Sequence, residues 1–171
     1  SKPLGTSDAI FQTMNQYEEL IKTRFLVCNC DNLYSVNAIK TLLGESNYNS
    51  MIAYDFEYLE FSNERLSSFS LLNIENNFLS EIIEKPDIEF IRNHSKKKYV
   101  SMNIFSFKGS EIYKYLRDCP INTIRGEKEI VTAIQNMILE NKKSVIAFPL
   151  CEHVPDLTYK DDLEKISTKI I

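Results

Sequence analysis

Residues 24–32 read Arg-Phe-Leu-Val-Cys-Asn-Cys-Asp-Asn. The stretch from Arg24 to Asn29 is a short apolar run, the pattern of a strand buried on both faces. It ends on Asp31 and Asn32. An acid at the carboxyl end of a buried strand lies where open α/β sheets bind their ligands. Upstream, Thr6, Ser7 and Asp8 supply N-cap chemistry, and Ile10, Met14, Tyr17 and Ile21 recur at helical spacing, so a helix is predicted to run to about Ile21. Downstream, Ser35 caps a second helix with Ile39, Leu42 and Leu43 on one side. That helix stops at Gly44, a position free to adopt positive φ.

The alternation continues. Ser50 to Tyr58 is a second strand, and Leu66 to Ile83 holds two β-like runs joined through Glu75-Asn76-Asn77, a hairpin pattern closed by Pro86. Asp87 to Lys98 is polar and predicts a surface connection, with Lys96, Lys97 and Lys98 as a solvated charged run. Tyr99 to Phe107 and Ser144 to Leu150 are further strands, and Ser110 to Leu116 and Glu127 to Leu139 are helices. Thr158 followed by Asp161 resembles a capping box opening a last helix through Leu163 and Ile166. Strands alternating with helices predict a three-layer α/β domain with a largely parallel sheet and one antiparallel hairpin.

With 171 residues, 43% hydrophobic and 26% charged, the chain has ordinary globular composition and reads as one domain over 1–171. Its four glycines fall well below the usual share of about 7%. No glycine-rich phosphate loop is present. A net charge of -4 and a pI near 5.3 give no footprint for nucleic acid or anionic lipid. There is neither an apolar run of membrane-spanning length nor a signal-peptide core, so the expected location is cytoplasmic. Cys28, Cys30, Cys119 and Cys151 lack the paired spacing of a zinc site and read as reduced thiols, Cys28 and Cys30 as core residues.

Among chemistry-bearing residues, Asp31 is the strongest, a candidate Mg²⁺ ligand, because Mg²⁺ takes one or two carboxylates and keeps the rest of its shell for water and phosphate. Asp156 follows another predicted strand and is the natural second ligand, although acids after strands also serve as turn and cap residues. Glu84 and Lys85 end a strand and should point to opposite faces. A lysine at a crevice can anchor phosphate as a point charge. Arg125, ahead of a helix, is placed to approach a ligand; His94 and His153 read as exposed surface histidines.

Several segments, in order, resemble the nucleotidyltransferases that make nucleoside-diphosphate sugars. Pro3-Leu4-Gly5-Thr6-Ser7-Asp8-Ala9 resembles the segment that opens a helix beside the nucleotide base. Phe25 to Asn32 resembles the strand leading to the metal aspartate, with Cys30 where glycine is usual. Glu84-Lys85-Pro86 matches the family's Glu-Lys-Pro, Arg125-Gly126-Glu127 the approach to a helix bounding the sugar site, and Pro155-Asp156-Leu157-Thr158 the segment of the second metal aspartate. The resemblance implies nucleotide contacts at Gly5 and Thr6, sugar-hydroxyl contact at Glu84 and phosphate contact at Lys85. It also implies substrate contacts at Asn103 and Arg125, and Mg²⁺ on Asp31 and Asp156.

Three departures accompany the match, the first being that Asp156 follows Pro155 and lacks the aromatic residue common before it. The strand, glycine-rich loop and catalytic lysine that begin the family's domain do not occur, and Val100-Ser101-Met102-Asn103 replaces the usual Asn-x-Gly stretch. The implied fold is therefore a Rossmann-like mixed sheet representing the later portion of such a domain. The implied activity is transfer of a nucleoside monophosphate from a nucleoside triphosphate to a sugar 1-phosphate with release of pyrophosphate, carried by the full-length enzyme, with homo-oligomerisation possible. A non-catalytic sugar-nucleotide-binding module and a phosphocholine cytidylyltransferase are the alternatives.

Overall fold

The computed structural model describes residues 4–44, 47–158 and 162. Among them, seven strands build one sheet: β1 (Arg24–Cys28), β2 (Asn49–Asp55), β3 (Ser70–Glu75), β4 (Phe78–Ile83), β5 (Tyr99–Ser101), β6 (Ile104–Lys108) and β7 (Val145–Leu150). The helices are α1 (Thr6–Gln16), α2 (Glu19–Lys22), α3 (Val36–Leu43), α4 (Asn63–Leu66), α5 (Ile88–Asn93), α6 (Gly109–Arg117) and α7 (Ile130–Glu140). No helix among the described residues is long and apolar enough to cross a membrane.

β2 is the spine of the sheet, and all seven of its residues are buried. On one side it runs parallel to β7, from Asn49 opposite Val145 to Tyr54 opposite Leu150. On the other it runs antiparallel first to β6 and then to β5. Successive side chains of a strand face opposite ways, and β2 fills a core on each face. Met51 and Ala53 pack with Met14 of α1, Ile112 and Leu116 of α6 and Ile134 and Met137 of α7. Ile52 and Tyr54 pack with Ala38 and Leu42 of α3 and Leu66 of α4. The architecture is thus a three-layer mixed α/β sheet, as expected. Phe107, fully buried in the first core, is a position where truncation to alanine costs about 3–5 kcal/mol.

Strand direction departs from the expectation. The β2–β7 pair is the only parallel one among the described strands, so the sheet is mainly antiparallel. Apolar periodicity reports burial and carries no information on direction. The hairpin forms as read: β3 and β4 pair antiparallel around Asn76 and Asn77, whose φ values of 51° and 68° are those of a two-residue turn with both central residues left-handed. β1, read as fully buried, is an edge strand paired only with β6, and its residues are half-buried or exposed. The strand read from Tyr99 to Phe107 is broken at Met102-Asn103, where two extra residues separate the β5 and β6 registers against β2.

Helix readings differ in several places, and α7, read from Glu127, starts at Ile130. The first helix breaks after Gln16 and resumes as α2. This brings the Leu20 carbonyl onto Gly109, where a β-carbon would lie 1.8 Å from that oxygen. α1 is preceded by Gly5 without a side-chain cap, and Thr6 Oγ1 instead accepts from Ile130 N at the start of α7 (3.0 Å). Gly44 ends α3 with φ −58°, outside the left-handed region. The polar segment after Pro86 contains α5, because Asp87 accepts from Phe90 N and caps a turn whose Ile91 is buried. The last three residues of the second predicted strand, Phe56–Tyr58, form a 3₁₀ turn. The final helix predicted after Thr158 lies, apart from Asp162, outside the described residues.

Candidate active site

The turn after β1 meets the segment after β7. Asn32 and Asp156 form an isolated antiparallel bridge. Leu157 N donates to Asp31 O at 2.8 Å and Leu33 N donates to Pro155 O at 2.9 Å. Backbone pairing therefore joins the two segments that carry the predicted metal aspartates, which are remote in sequence. The incoming segment is pinned on its other side as well. Ser35 Oγ donates to Glu152 Oε1 at 2.6 Å, and Glu60 N donates to His153 Nδ1 at 3.1 Å. His153, read as a surface residue, thus has a structural role.

The two carboxylates differ in company. Asp156 is 6% exposed; its Oδ1 accepts from Thr158 N (2.9 Å) and Thr158 Oγ1 (2.5 Å), and Arg65 Nη2 stands 3.4 Å away. Arg65 also donates to the Asp156 carbonyl at 3.2 Å and to both Asp162 oxygens at 2.8 Å. Asp31 is half-buried, and its carboxylate has no hydrogen-bond or ion-pair partner among the described residues. Tyr34 sits between the carboxylates and the break in the β5–β6 strand: its hydroxyl donates to Met102 O at 2.5 Å and accepts from Asn29 N at 3.3 Å. Burial, reinforced by the charges of Cys28, Asp31 and Asp156, holds this phenol well above its ordinary pKa. Asn103 adopts a left-handed φ of 54°, its backbone held by Ser101 Oγ.

A second group forms at the entry to α7. Gly5 has φ 101°, and a β-carbon there would stand 2.7 Å from Lys128 O. Ser7 N donates to that same carbonyl, at 2.9 Å. Arg125 reaches Glu84 Oε1 at 2.6 Å and Glu129 Oε1 at 2.7 Å, and Asn122 Nδ2 donates to Glu129 at 3.1 Å. Burial, then the charge of Glu84, pushes the Glu129 carboxyl above the ordinary glutamate range, opposed by Asn122 and Arg125. The expected alternation of Glu84 and Lys85 does not apply, because β4 ends at Ile83. Glu84 turns to Arg125, whereas Lys85, at φ 46°, is exposed and its ammonium has no partner among the described residues.

The predicted residues thus fall into two sets, Asp31 with Asp156 beside Asn103, and Gly5, Thr6, Glu84 and Arg125 around α7, with Lys85 unattached. No hydrogen bond or ion pair among the described residues joins the sets. Tyr34, Arg65 and Glu129 were not singled out by sequence. Glu129 follows two residues after the recognised Arg-Gly-Glu, so extending that match would have found it. Arg65 lies in a long connection with no local pattern. Cys28 and Cys30, read as core residues, are exposed, and no cluster of three or more His, Cys, Asp or Glu side chains suited to a metal occurs among the described residues.

No protein-family model and no curated protein sequence matches the chain. Solved structures do. A UDP-glucose pyrophosphorylase complexed with UDP-glucose aligns over 99% of this chain and 63% of its own, with a TM-score of 0.71 at 15% identity. The chain has the nucleotidyltransferase fold. A UTP-bound UGPase from Acinetobacter baumannii gives a TM-score of 0.71 at 14% identity over 99% of this chain and 57% of its own. The inositol-1-phosphate CTP transferase of T. maritima gives 0.67 at 14% identity over 98% and 61%. The chain spans about three-fifths of the length of these nucleotidyltransferases.

Proposed function

We propose that the protein carrying this chain transfers a nucleoside monophosphate from a nucleoside triphosphate to a sugar 1-phosphate. A phosphate oxygen of the sugar attacks the α-phosphorus, the α–β bridging bond breaks, and pyrophosphate leaves. The observation that supports this reading is the bridge between Asn32 and Asp156, which lays the two segments carrying Asp31 and Asp156 side by side. The donor set suits Mg²⁺: hard carboxylate oxygens, with Asp31 unpartnered and the contacts of Asp156 gathered on Oδ1 among the described residues. Asp31 and Asp156 would hold the ion, which when bound neutralises charge developing on the transferred phosphate.

The chain's other residues bind and orient. Lys85, without an acid partner among the described residues, would hold the phosphate of the sugar as a point charge. Glu84 would meet sugar hydroxyls while Arg125, paired to both Glu84 and Glu129, holds it in place. Gly5 and Thr6 would border the base, and Asn103, with its side-chain amide unengaged among the described residues, would offer both donor and acceptor. Tyr34 would fix the Asp31 turn against Asn103 without itself reacting. A cytoplasmic setting suits these substrates.

The shortage of glycine supports a second reading. With four glycines and no loop to cradle the β- and γ-phosphates, residues 1–171 alone would bind product and turn over poorly, as a sugar-nucleotide-binding module does. Calorimetry of the 171-residue chain with UDP-glucose and Mg²⁺, paired with pyrophosphate release from the complete protein over a panel of nucleoside triphosphates and sugar 1-phosphates, separates the readings. Binding with release supports transfer; binding without release supports the module. Absence of both defeats the assignment.

A further inference from the structure

Away from both sets of residues, a cavity of about 510 Å³ opens beyond the ends of β2 and β7, and its lining includes Asp55, Tyr58, His94, Lys96, Lys98 and Cys151. Its donors and acceptors do not balance. Asp55 is 4% exposed and already engaged: Lys97 Nζ lies at 2.9 Å, Glu57 N donates at 3.1 Å and Cys151 Sγ contacts it at 3.8 Å. Lys98 is half-buried, its ammonium 5.4 Å from the centre of the Phe56 ring and without a carboxylate partner among the described residues. Lys96 has one distant partner, Glu75 at 3.9 Å, with both side chains more than 60% exposed, a pair of negligible strength. His94 Nε2 is buried with no hydrogen-bond partner, an uncommon condition in a folded protein. Against these groups the lining offers one uncommitted acid, Glu57.

We propose that this cavity binds a phosphoryl-bearing anion through Lys96, Lys98 and His94. A phosphoryl group presents acceptor oxygens in several directions at once, which meets separated donors that share no protein acceptor, and ammonium groups favour it as point charges. Phe56 and Lys98 are tied by the bond from Phe56 N to Lys98 O (3.1 Å), so an anion bound here would fasten the ends of β2, β5 and β7 together. The site is independent of the transfer reaction proposed above, and its test avoids the metal.

Inorganic pyrophosphate is titrated into the 171-residue chain in EDTA, with binding followed by calorimetry and the His94 ring by NMR. Saturable binding with movement of the His94 resonances is expected. Binding should weaken at least about tenfold in a Lys96→Ala/Lys98→Ala double variant, be retained in Lys96→Arg/Lys98→Arg, and be unaltered in Lys142→Ala, a change at an exposed lysine outside the lining. The arginine pair and the wild-type His94 signals decide the matter even where the alanine pair unfolds. Static His94 resonances, or undiminished binding in a folded alanine variant, would overturn the assignment.

Discussion

The two halves of the candidate site are built on opposite principles. At the carboxylate end, backbone does the positioning: the two main-chain hydrogen bonds of a β-bridge align the Asp31 and Asp156 segments and leave the Asp31 side chain without a partner among the described residues. At the α7 end, side chains position one another, with Arg125 clamped between Glu84 and Glu129. A group aligned by backbone can meet a ligand at little cost, because nothing must be displaced. A group aligned by ion pairs is already satisfied and must share or exchange a partner when ligand arrives. The first arrangement suits a charge that acts on the reacting phosphate, the second a pocket wall that sets shape.

That contrast predicts separate consequences for the two ends. Asp31→Asn should lower Mg²⁺-dependent pyrophosphate release by about 10²-fold or more while the melting temperature stays within about a degree or two. Adding Asp156→Asn should cost far less than a second factor of that size, because both acids would act through one ion. Near-normal release from Asp31→Asn would break the comparison.

Arg125→Ala should do the reverse, destabilising the fold by about 1–2 kcal/mol at neutral pH, because Glu84 and Glu129 then face each other without a cation. The pH dependence has a definite sign. The Glu129 carboxyl is already raised in the fold, so its relative contribution to stability is present below the unfolded value of about 4.3 and lost as pH rises through the folded value. Removing Arg125 raises it further, and the deficit of the variant should shrink as pH falls toward 4. A deficit that grows on acidification, measured by urea denaturation, would remove the clamp model.

Lys85→Ala should weaken sugar 1-phosphate binding about tenfold with no change in melting temperature, since its ammonium has no partner among the described residues. Calorimetric affinity equal to wild type would deny it the phosphate role. The smallest effect belongs to Tyr34→Phe, which removes the bond to Met102 O and should cost about 1 kcal/mol of stability. Because Tyr34 ties the Asp31 turn to Asn103, the same change should raise the Mg²⁺ concentration for half-maximal activity. An unchanged Mg²⁺ requirement would sharpen its role to packing alone.

What the sequence revealed follows from the range of each signal. The β3–β4 hairpin was legible because its cause is local, two asparagines taking left-handed conformations between apolar runs. Ser35 as the cap of α3 was legible for the same reason, its hydroxyl reaching Ala38 N. The edge position of β1 was not, because Phe25, Leu26 and Val27 read alike whether or not a neighbour lies on both sides. α5 escaped because its apolar residues are few and charge dominates the segment. At the site, the acids at strand ends could be named, yet the Arg65 contacts to Asp156 and Asp162 join residues more than 90 positions apart, beyond any spacing rule.

The break at Met102-Asn103 has a consequence for how the molecule opens. The β3–β4 hairpin is joined to the rest of the sheet through the three-residue strand β5 and one bridge, Phe78 to Ile146, whereas β2 and β7 share six paired positions. Attachment that narrow within the sheet leaves the hairpin held mainly by Leu72, Leu79 and Ile82 in the first core and by Gln135 on Ile82 N, and predicts that it opens as a unit while the β2–β7 spine stays intact. In native-state hydrogen exchange, amides of β3 and β4 should therefore exchange through a sub-global opening of lower free energy than those of β2. The Glu84–Lys85 corner would travel with the hairpin, leaving the two aspartates behind.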